Sequence, residues 1–209
     1  MRAVVLCTTE QQQAILNKAT NQGVDFIFCI NDFHLFQNTL GDVFFDLQDE
    51  TSNTYTSTKK GLLIINAVSK TTKYLPEHAV RINAWDGFLE QDILELAAPL
   101  QLQQEVQNMM DKIGWQCRFA PDEIGMIAPR IIAMIINEAY FGLEDGISTK
   151  QEIDTAMKLG TNYPFGPFEW ADKIGKSKIL KLLNQLSCYD KRYMPCKLLK
   201  QEAIDTLTT

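Results

Sequence analysis

The residues able to do chemistry are few and scattered. The two histidines, His34 and His78, have no cysteine or aspartate at metal-ligand spacing, so each reads as a surface or core side chain and no metal centre is expected. Asp46, Asp49 and Glu50 follow a β-like run and would stand at the carboxyl end of a strand, where α/β sheets place their ligands. A solvated loop is the better account of them. The lysines between Lys173 and Lys181 alternate with Ile174, Ile179 and Leu182, which makes them the wet side of an amphipathic helix. The five cysteines, Cys7, Cys29, Cys117, Cys188 and Cys196, are odd in number and widely spaced. Cys7 and Cys29 lie inside apolar runs and read as small core residues, which suits a reducing compartment.

The chain that must position these groups has 209 residues, 45% of them hydrophobic and 22% charged, with 11 Gly and 7 Pro, the profile of a packed globule. A formal net charge of −6 argues against nucleic acid as a partner. No run approaches the roughly 18 to 20 apolar residues of a membrane span. Met1 leads straight into a β-like run without a basic and apolar leader, so a cytoplasmic protein is expected.

Two patterns divide the sequence. Residues 3–7, 25–30, 42–47, 61–67 and 80–85 are short apolar runs bounded by Gly, Asn, Asp or Pro, as buried strands of a parallel sheet would be. Helical spacing falls between and after them, over residues 9–20 with a threonine N-cap and over 99–113, while 50–60 is polar and reads as a loop. A doubly wound α/β sheet over residues 1–118 follows. From residue 119 to 209 the period is helical throughout. Residues 124–143 are apolar nearly all round and must be covered on most sides, either inside their own domain or against a second subunit, and a homodimer is expected. A second helix over 149–159 has a Thr149/Glu152 capping box and Gly160 as its stop, and helices over 168–174, 176–186 and 196–206 follow the stiff turn at 163–168.

The run Arg130-Ile131-Ile132-Ala133-Met134-Ile135-Ile136-Asn137-Glu138-Ala139 leads through Glu144-Asp145-Gly146-Ile147 and Ile153-Asp154 to Tyr163-Pro164-Phe165-Gly166-Pro167-Phe168-Glu169, Asp172 and Ile174-Gly175. In spacing, order and identity it closely resembles the C-terminal helical domain of the 3-hydroxyacyl-CoA dehydrogenases, the NAD-dependent β-oxidation family, and Arg192-Tyr193, Pro195 and Leu198-Leu199 extend the likeness. The resemblance implies a shortened Rossmann-like α/β domain followed by a helical 3-hydroxyacyl-CoA dehydrogenase C-terminal-type domain that dimerises. Glu138 and Asp172 belong to this signature and are expected to cap helices and pair with neighbours rather than touch substrate.

Further implications concern the chemistry. The family's first strand leads into a Gly-x-Gly-x-x-Gly turn that lets the backbone approach the pyrophosphate, whereas Cys7-Thr8-Thr9-Glu10-Gln11-Gln12 stands here, with no glycine and a negative charge at the helix start. The family's histidine base takes the hydroxyl proton and is oriented by a glutamate. By resemblance Glu95 matches that glutamate, and the histidine position, twelve residues earlier, is Asn83, an amide that cannot act as base. The family's serine falls at Val68, taking Asn66 as its matching Asn, with Ser69 one position off; the family's asparagine falls at Pro129. The expectation is a catalytically silent relative that keeps the fold, the dimer and an acyl-CoA cleft, with no cofactor. The alternative is an active oxidoreductase on an acyl-CoA-like substrate through a changed site, which would still need NAD.

Overall fold

A computed structural model describes residues 1–18, 20–48 and 61–205. The chain divides into two compact units, Met1–Met126 and Ile127–Thr209. The change of pattern read at residue 118 falls inside the last strand of the first unit.

That unit runs β1 (Arg2–Cys7), α1 (Thr9–Asn17), β2 (Asp25–Ile30), α2 (Phe33–Asn38), β3 (Val43–Asp46), β4 (Leu62–Asn66), β5 (Val80–Ile82), β6 (Ile93–Ala97), α3 (Leu100–Ile113) and β7 (Gln116–Phe119). Its seven-stranded sheet has the order β2-β1-β3-β4-β5-β6-β7. Neighbours from β2 through β5 are parallel, with Ala3 beside both Phe26 and Val43. The strand order reverses at β1, the mark of a doubly wound sheet. Two strands join the five that the sequence marks: β6 runs antiparallel to β5, pairing Ile82 with Leu96, and β7 then runs parallel to β6. A short return through residues 83–92 leaves no room for the crossover that a parallel β6 would need.

The unbroken apolar runs have a direct cause, since both faces of the sheet are covered. Ala3, Val5 and Cys7 pack with Val43, Phe45, Ile64, Val80 and Ile82 under Ile15 of α1 and Val106, Met110 and Ile113 of α3. Val4, Leu6, Cys29 and Phe44 pack on the other side with Phe36 of α2. Helix α1 opens on the Thr8 N-cap, whose hydroxyl accepts from Gln11 N while the Gln11 side chain accepts from Thr8 N. Helix α3 stops at Gly114, in the left-handed region at φ 89°, where Asn21 Nδ2 donates to the Asp111 carbonyl at 3.0 Å.

The second unit consists of α4 (Ala128–Glu144), α5 (Lys150–Thr161), α6 (Pro167–Ile174), α7 (Lys176–Ser187) and α8 (Lys197–Asp205). Helix α4 starts four residues later than its apolar pattern does, because Gly125 and Met126 both take positive φ, 82° and 48°, and cannot extend a right-handed helix. Pro129 then sits in the first turn, where its missing N–H has no helical carbonyl to meet. Gly160 does not end α5, as its position suggested. The helix continues to Thr161 and is capped by Asn162 at φ 56°, a conformation that asparagine tolerates. The α5 capping box of Thr149 and Glu152 forms as the spacing predicts.

Asp154 of α5 shows how the signature residues build this unit. Its Oδ1 accepts from Phe168 N at 2.8 Å and caps α6. A Cβ at Gly166 would lie 2.4 Å from both Cβ and Oδ1 of Asp154, so the glycine is required by close approach rather than by conformation. Gly166→Ala should therefore cost about 1–3 kcal/mol, the range for overpacking a tight site. Denaturant unfolding would check this, and an unchanged midpoint would contradict it.

Candidate functional site

The carboxyl ends of β1, β3, β4 and β5 converge, and there the chain has woven its own side chains together. Gln11, only 6% exposed, sits in the first turn of α1. Its Nε2 donates to the carbonyls of Leu47 at 2.8 Å and Ala84 at 3.4 Å, while Oε1 accepts from Thr8 N at 3.0 Å. Asn66 makes a second bridge, with Nδ2 donating to the Leu47 carbonyl at 3.2 Å and Oδ1 accepting from Ala84 N at 3.1 Å. Buried amides satisfied on both sides rigidify the ends of the strands they join.

This is where a doubly wound sheet receives a dinucleotide, through a glycine turn and the bare N-terminus of the first helix. The residues present do not fit one. A glutamine side chain fills the helix start and is committed to two carbonyls. Glu10 adds a carboxylate whose pKa is held below its ordinary value, by its own backbone N–H first and the Thr8 hydroxyl second. Cys7 beside them is no nucleophile, because burial, with a smaller effect from Cys29, pushes its thiol up to about 12. Asp32, after β2, stands roughly 20 residues beyond the turn, where a ribose-binding carboxylate would be. Its Oδ1 instead accepts from Leu35 N at 2.8 Å and caps α2. Only its cap spacing marks it in the sequence.

Across β5 and β6 the two positions implied for base and glutamate do meet. Asn83 N donates to the Glu95 carbonyl at 3.0 Å, continuing the register of Ile82 with Leu96. The Asn83 side chain is 1% exposed and its Oδ1 accepts from Trp85 N at 3.3 Å. Glu95 is half-buried. Val68 is buried and takes part through its backbone alone, its carbonyl accepting from Gly125 N at 2.8 Å; Ser69 beside it is also buried. Pro129 belongs to the second unit and is buried in α4. Asp46 is 1% exposed and accepts from Gln48 N at 3.1 Å, while Asp49 and Glu50 lie outside the described residues. His34 is exposed beside Asn38, and His78, at φ 63°, is exposed beside the Glu77 carboxylate at 3.6 Å. Among the described residues no three His, Cys, Asp or Glu side chains gather as a metal site would require.

The residue that sequence reasoning missed is Arg81, fully buried on β5. Its Nε donates to the Ala67 carbonyl at 2.8 Å, its Nη2 to the carbonyls of Val68 at 3.2 Å and Glu123 at 3.1 Å, and its Nη1 to Asp122 Oδ1 at 2.6 Å. Asp122 also accepts from the Thr72 backbone and hydroxyl. Burial alone would raise the Asp122 pKa, but the hydrogen bonds from Thr72 and Arg81 outweigh it and hold the carboxyl below its ordinary value. The guanidinium thus clamps the loop after β4 to the segment after β7. An arginine between Val80 and Ile82 in a buried strand was the available signal, because such a cation must be paired.

In the second unit the signature polar residues serve as framework. Asn137 Nδ2 donates to the Met194 carbonyl at 3.0 Å and Oδ1 accepts from Cys196 N at 2.8 Å. Tyr140 donates to Glu202 Oε2 at 2.8 Å, and Lys150 Nζ reaches both oxygens of the same carboxylate. Asp172 pairs with Lys176 one turn on, and Glu138 lies exposed on α4. Ile174, Ile179 and Leu182 are buried.

Comparisons with known proteins locate the likeness. Residues 125–205 match the family model described as the 3-hydroxyacyl-CoA dehydrogenase C-terminal domain. The 3-hydroxyadipyl-CoA dehydrogenase of Escherichia coli K12 is 48% identical over 85 residues, 40% of this chain and 18% of that protein. A crystal structure of 3-hydroxybutyryl-CoA dehydrogenase from the same species is 34% identical, with a TM-score of 0.58 over 68% of this chain and 32% of that one. The chain thus spans less than a third of either relative's own length. The (S)-3-hydroxybutyryl-CoA dehydrogenase PaaH1 from Ralstonia eutropha has a TM-score of 0.65 over 96% of this chain and 93% of its own, at 18% identity, a likeness of fold.

Proposed function

Because the chain belongs to the 3-hydroxyacyl-CoA dehydrogenase family through its C-terminal helical domain, we propose that it is a silent relative: it binds acyl-CoA and forms a homodimer but does not carry out NAD-dependent oxidation of 3-hydroxyacyl-CoA. The observation that carries this reading is Gln11, whose side chain bridges Leu47 and Ala84 where the phosphates of a dinucleotide would need open backbone. The position matching the base adds to it. Asn83 has no proton affinity near neutral pH, so hydride departure from a hydroxyl-bearing carbon would have no proton acceptor there. Val68 and Pro129 offer no polar side chain at the two other matching positions. We assign no cofactor, nucleic acid or membrane. A cytoplasmic setting suits five cysteines of which none forms a disulfide. Titration with NADH and with acetoacetyl-CoA tests the reading, since it requires binding of the second without the first.

The dimer rests on α4. Ile127 is 50% exposed and Ile131 51%, and Phe141 is exposed along the same helix. Such a stripe is covered at small cost by a second copy of itself across a two-fold axis. Light scattering at micromolar concentration should report a dimer, and Ile131→Glu should shift it toward monomer. A wild-type monomer under those conditions would contradict the assignment.

A further inference from the structure

The two edges of the sheet are protected unequally. β7 is four residues long and sets Gln116 and Arg118 open to solvent, and a short strand with a charge on it is a poor template for further pairing. β2, at the other edge, is six residues long, Asp-Phe-Ile-Phe-Cys-Ile, with no lysine, arginine or proline. Its one charge, Asp25, stands at the first position and is paired with Arg2 at 3.5 Å. Phe26, Ile27 and Phe28 are half-buried, and the helices that pack on β2 leave apolar side chains open, Leu16 of α1 at 58% and Leu35 of α2 at 46%.

The backbone of β2 is half used. Asp25 N donates to the Met1 carbonyl at 2.9 Å and Asn31 N to the Cys7 carbonyl at 3.0 Å, so the odd-numbered peptide groups face β1. Those of Phe26, Phe28 and Ile30 alternate with them and face outward. No strand among the described residues pairs with that side.

We infer that β2 pairs antiparallel with β2 of a second copy of this chain, across a two-fold axis through Phe28, joining the two sheets edge to edge. In that register Phe26 of each copy faces Ile30 of the other and Phe28 faces its own equivalent. These are the residues whose peptide groups point outward, so each facing pair exchanges both of its hydrogen bonds. The side chains agree: Phe28 meets Phe28 and Phe26 meets Ile30 on one face, and Ile27 meets Cys29 on the other, apolar pairs of the kind that stabilise a ladder. Asp25 meets Asn31, so no like charges oppose each other. A slip by one residue would set inward-facing peptide groups against outward-facing ones, and a slip by two would leave Ile30 facing Val24, outside the strand. A different protein would need a strand matched to this one, whereas β2 is its own complement. The contact is separate from α4 and weaker. One six-residue strand pair falls below the roughly 1,200 Å² of a stable interface, so it forms at higher concentration than the α4 dimer.

Sedimentation of the full chain from micromolar to submillimolar concentration tests this, for the wild type, Ile30→Lys and Ile30→Pro. The wild-type mass should at least double over that range, while both variants keep their micromolar mass. The lysine puts a charge on the edge, and the proline removes an outward N–H that β1 does not use. Ile30→Lys keeps every N–H of the strand, so it serves if the proline variant disturbs β2. Hydrogen exchange on the same samples identifies the edge: the amides of Phe26, Phe28 and Ile30 should slow severalfold at the higher concentration in the wild type, while those of Ile27 and Cys29, held by β1, stay protected throughout. A wild-type mass that stays constant, a rise that survives both substitutions, or outward amides that exchange alike at both concentrations would overturn the inference and leave the α4 dimer untouched.

Discussion

The unmodified protein is expected to show no hydride transfer between NADH and acetoacetyl-CoA, and Asn83→His is expected to leave it silent. A positioned general base contributes roughly 10²- to 10⁴-fold, but only where both reactants are already held in register. An imidazole at position 83 would lie across the β5–β6 pair from Glu95, with Asn83 N already bonded to the Glu95 carbonyl at 3.0 Å. The remaining parts would still be missing. Val68 and Pro129, at the positions matching the family's serine and asparagine, carry no polar side chain, and the Gln11 side chain is committed to the carbonyls of Leu47 and Ala84 at the start of α1. Glu95, with no histidine to orient, should act as a structural or ligand-binding carboxylate, so Glu95→Gln should alter stability or acyl-CoA affinity. Loss of NADH absorbance checks the turnover, and denaturant unfolding with acetoacetyl-CoA titration checks the Glu95→Gln effect. Turnover by the wild type that Glu95→Gln abolishes would contradict the silent reading.

The second large effect concerns the clamp around Arg81. Arg81→Met would strip the donor from the carbonyls of Ala67 and Glu123 and the cation from Asp122, at a site where the side chain is fully buried. Each buried acceptor left unmet costs about 1–3 kcal/mol, so a loss of about 3 kcal/mol or more is expected in denaturant unfolding at neutral pH. A loss below about 1 kcal/mol would show the clamp to be dispensable, since surface changes fall in that range. The pH dependence follows from Asp122. Its carboxyl is held below the ordinary value of 3.8 in the folded chain, so the unfolded chain binds the proton more readily. The stabilisation is therefore present above that value and is lost as the pH falls through the lower folded one. In Arg81→Met this acid-dependent loss should be smaller, because one of the groups that lowers the pKa is gone.

What could be read from the sequence followed what burial dictates locally. Strands β1, β3 and β4 announce themselves because Ala3 to Cys7, and their neighbours on those strands, are covered on both faces and so are mostly apolar, whereas β2 is a partly exposed edge and β5 carries the buried Arg81. The later strands lack that mark. β7 alternates Gln116 and Arg118 with Cys117 and Phe119 over only four residues, too short for a period of two to stand out from a loop. β6 carries Glu95 at its centre and returns antiparallel, a direction that the sequence does not encode locally. Helix α2 has six residues, under two turns, and no periodicity to detect.

The candidate site was legible only where a resemblance placed it. Counting back from Glu95 gives Asn83, but their meeting across two strands depends on the direction of β6. Gln11 and Arg81 were opaque for a related reason. Gln11 bonds to Ala84, 73 residues away, and Arg81 to Asp122, 41 residues away, so the meaning of each side chain resides in partners that only the fold supplies. Polar residues buried by long-range pairing have no local signature beyond their misfit with apolar neighbours.

If the chain has closed the dinucleotide crevice while keeping acyl-CoA binding, the two ligands must separate in calorimetry. The full chain is titrated once with NADH and once with acetoacetyl-CoA. A charge-assisted hydrogen bond to a phosphate is worth about 1.5–3 kcal/mol, and the absence of several of them together with the glycine turn leaves no useful affinity. The closed crevice predicts a saturable isotherm for acetoacetyl-CoA and none for NADH. A saturable NADH isotherm at low micromolar concentration would contradict it.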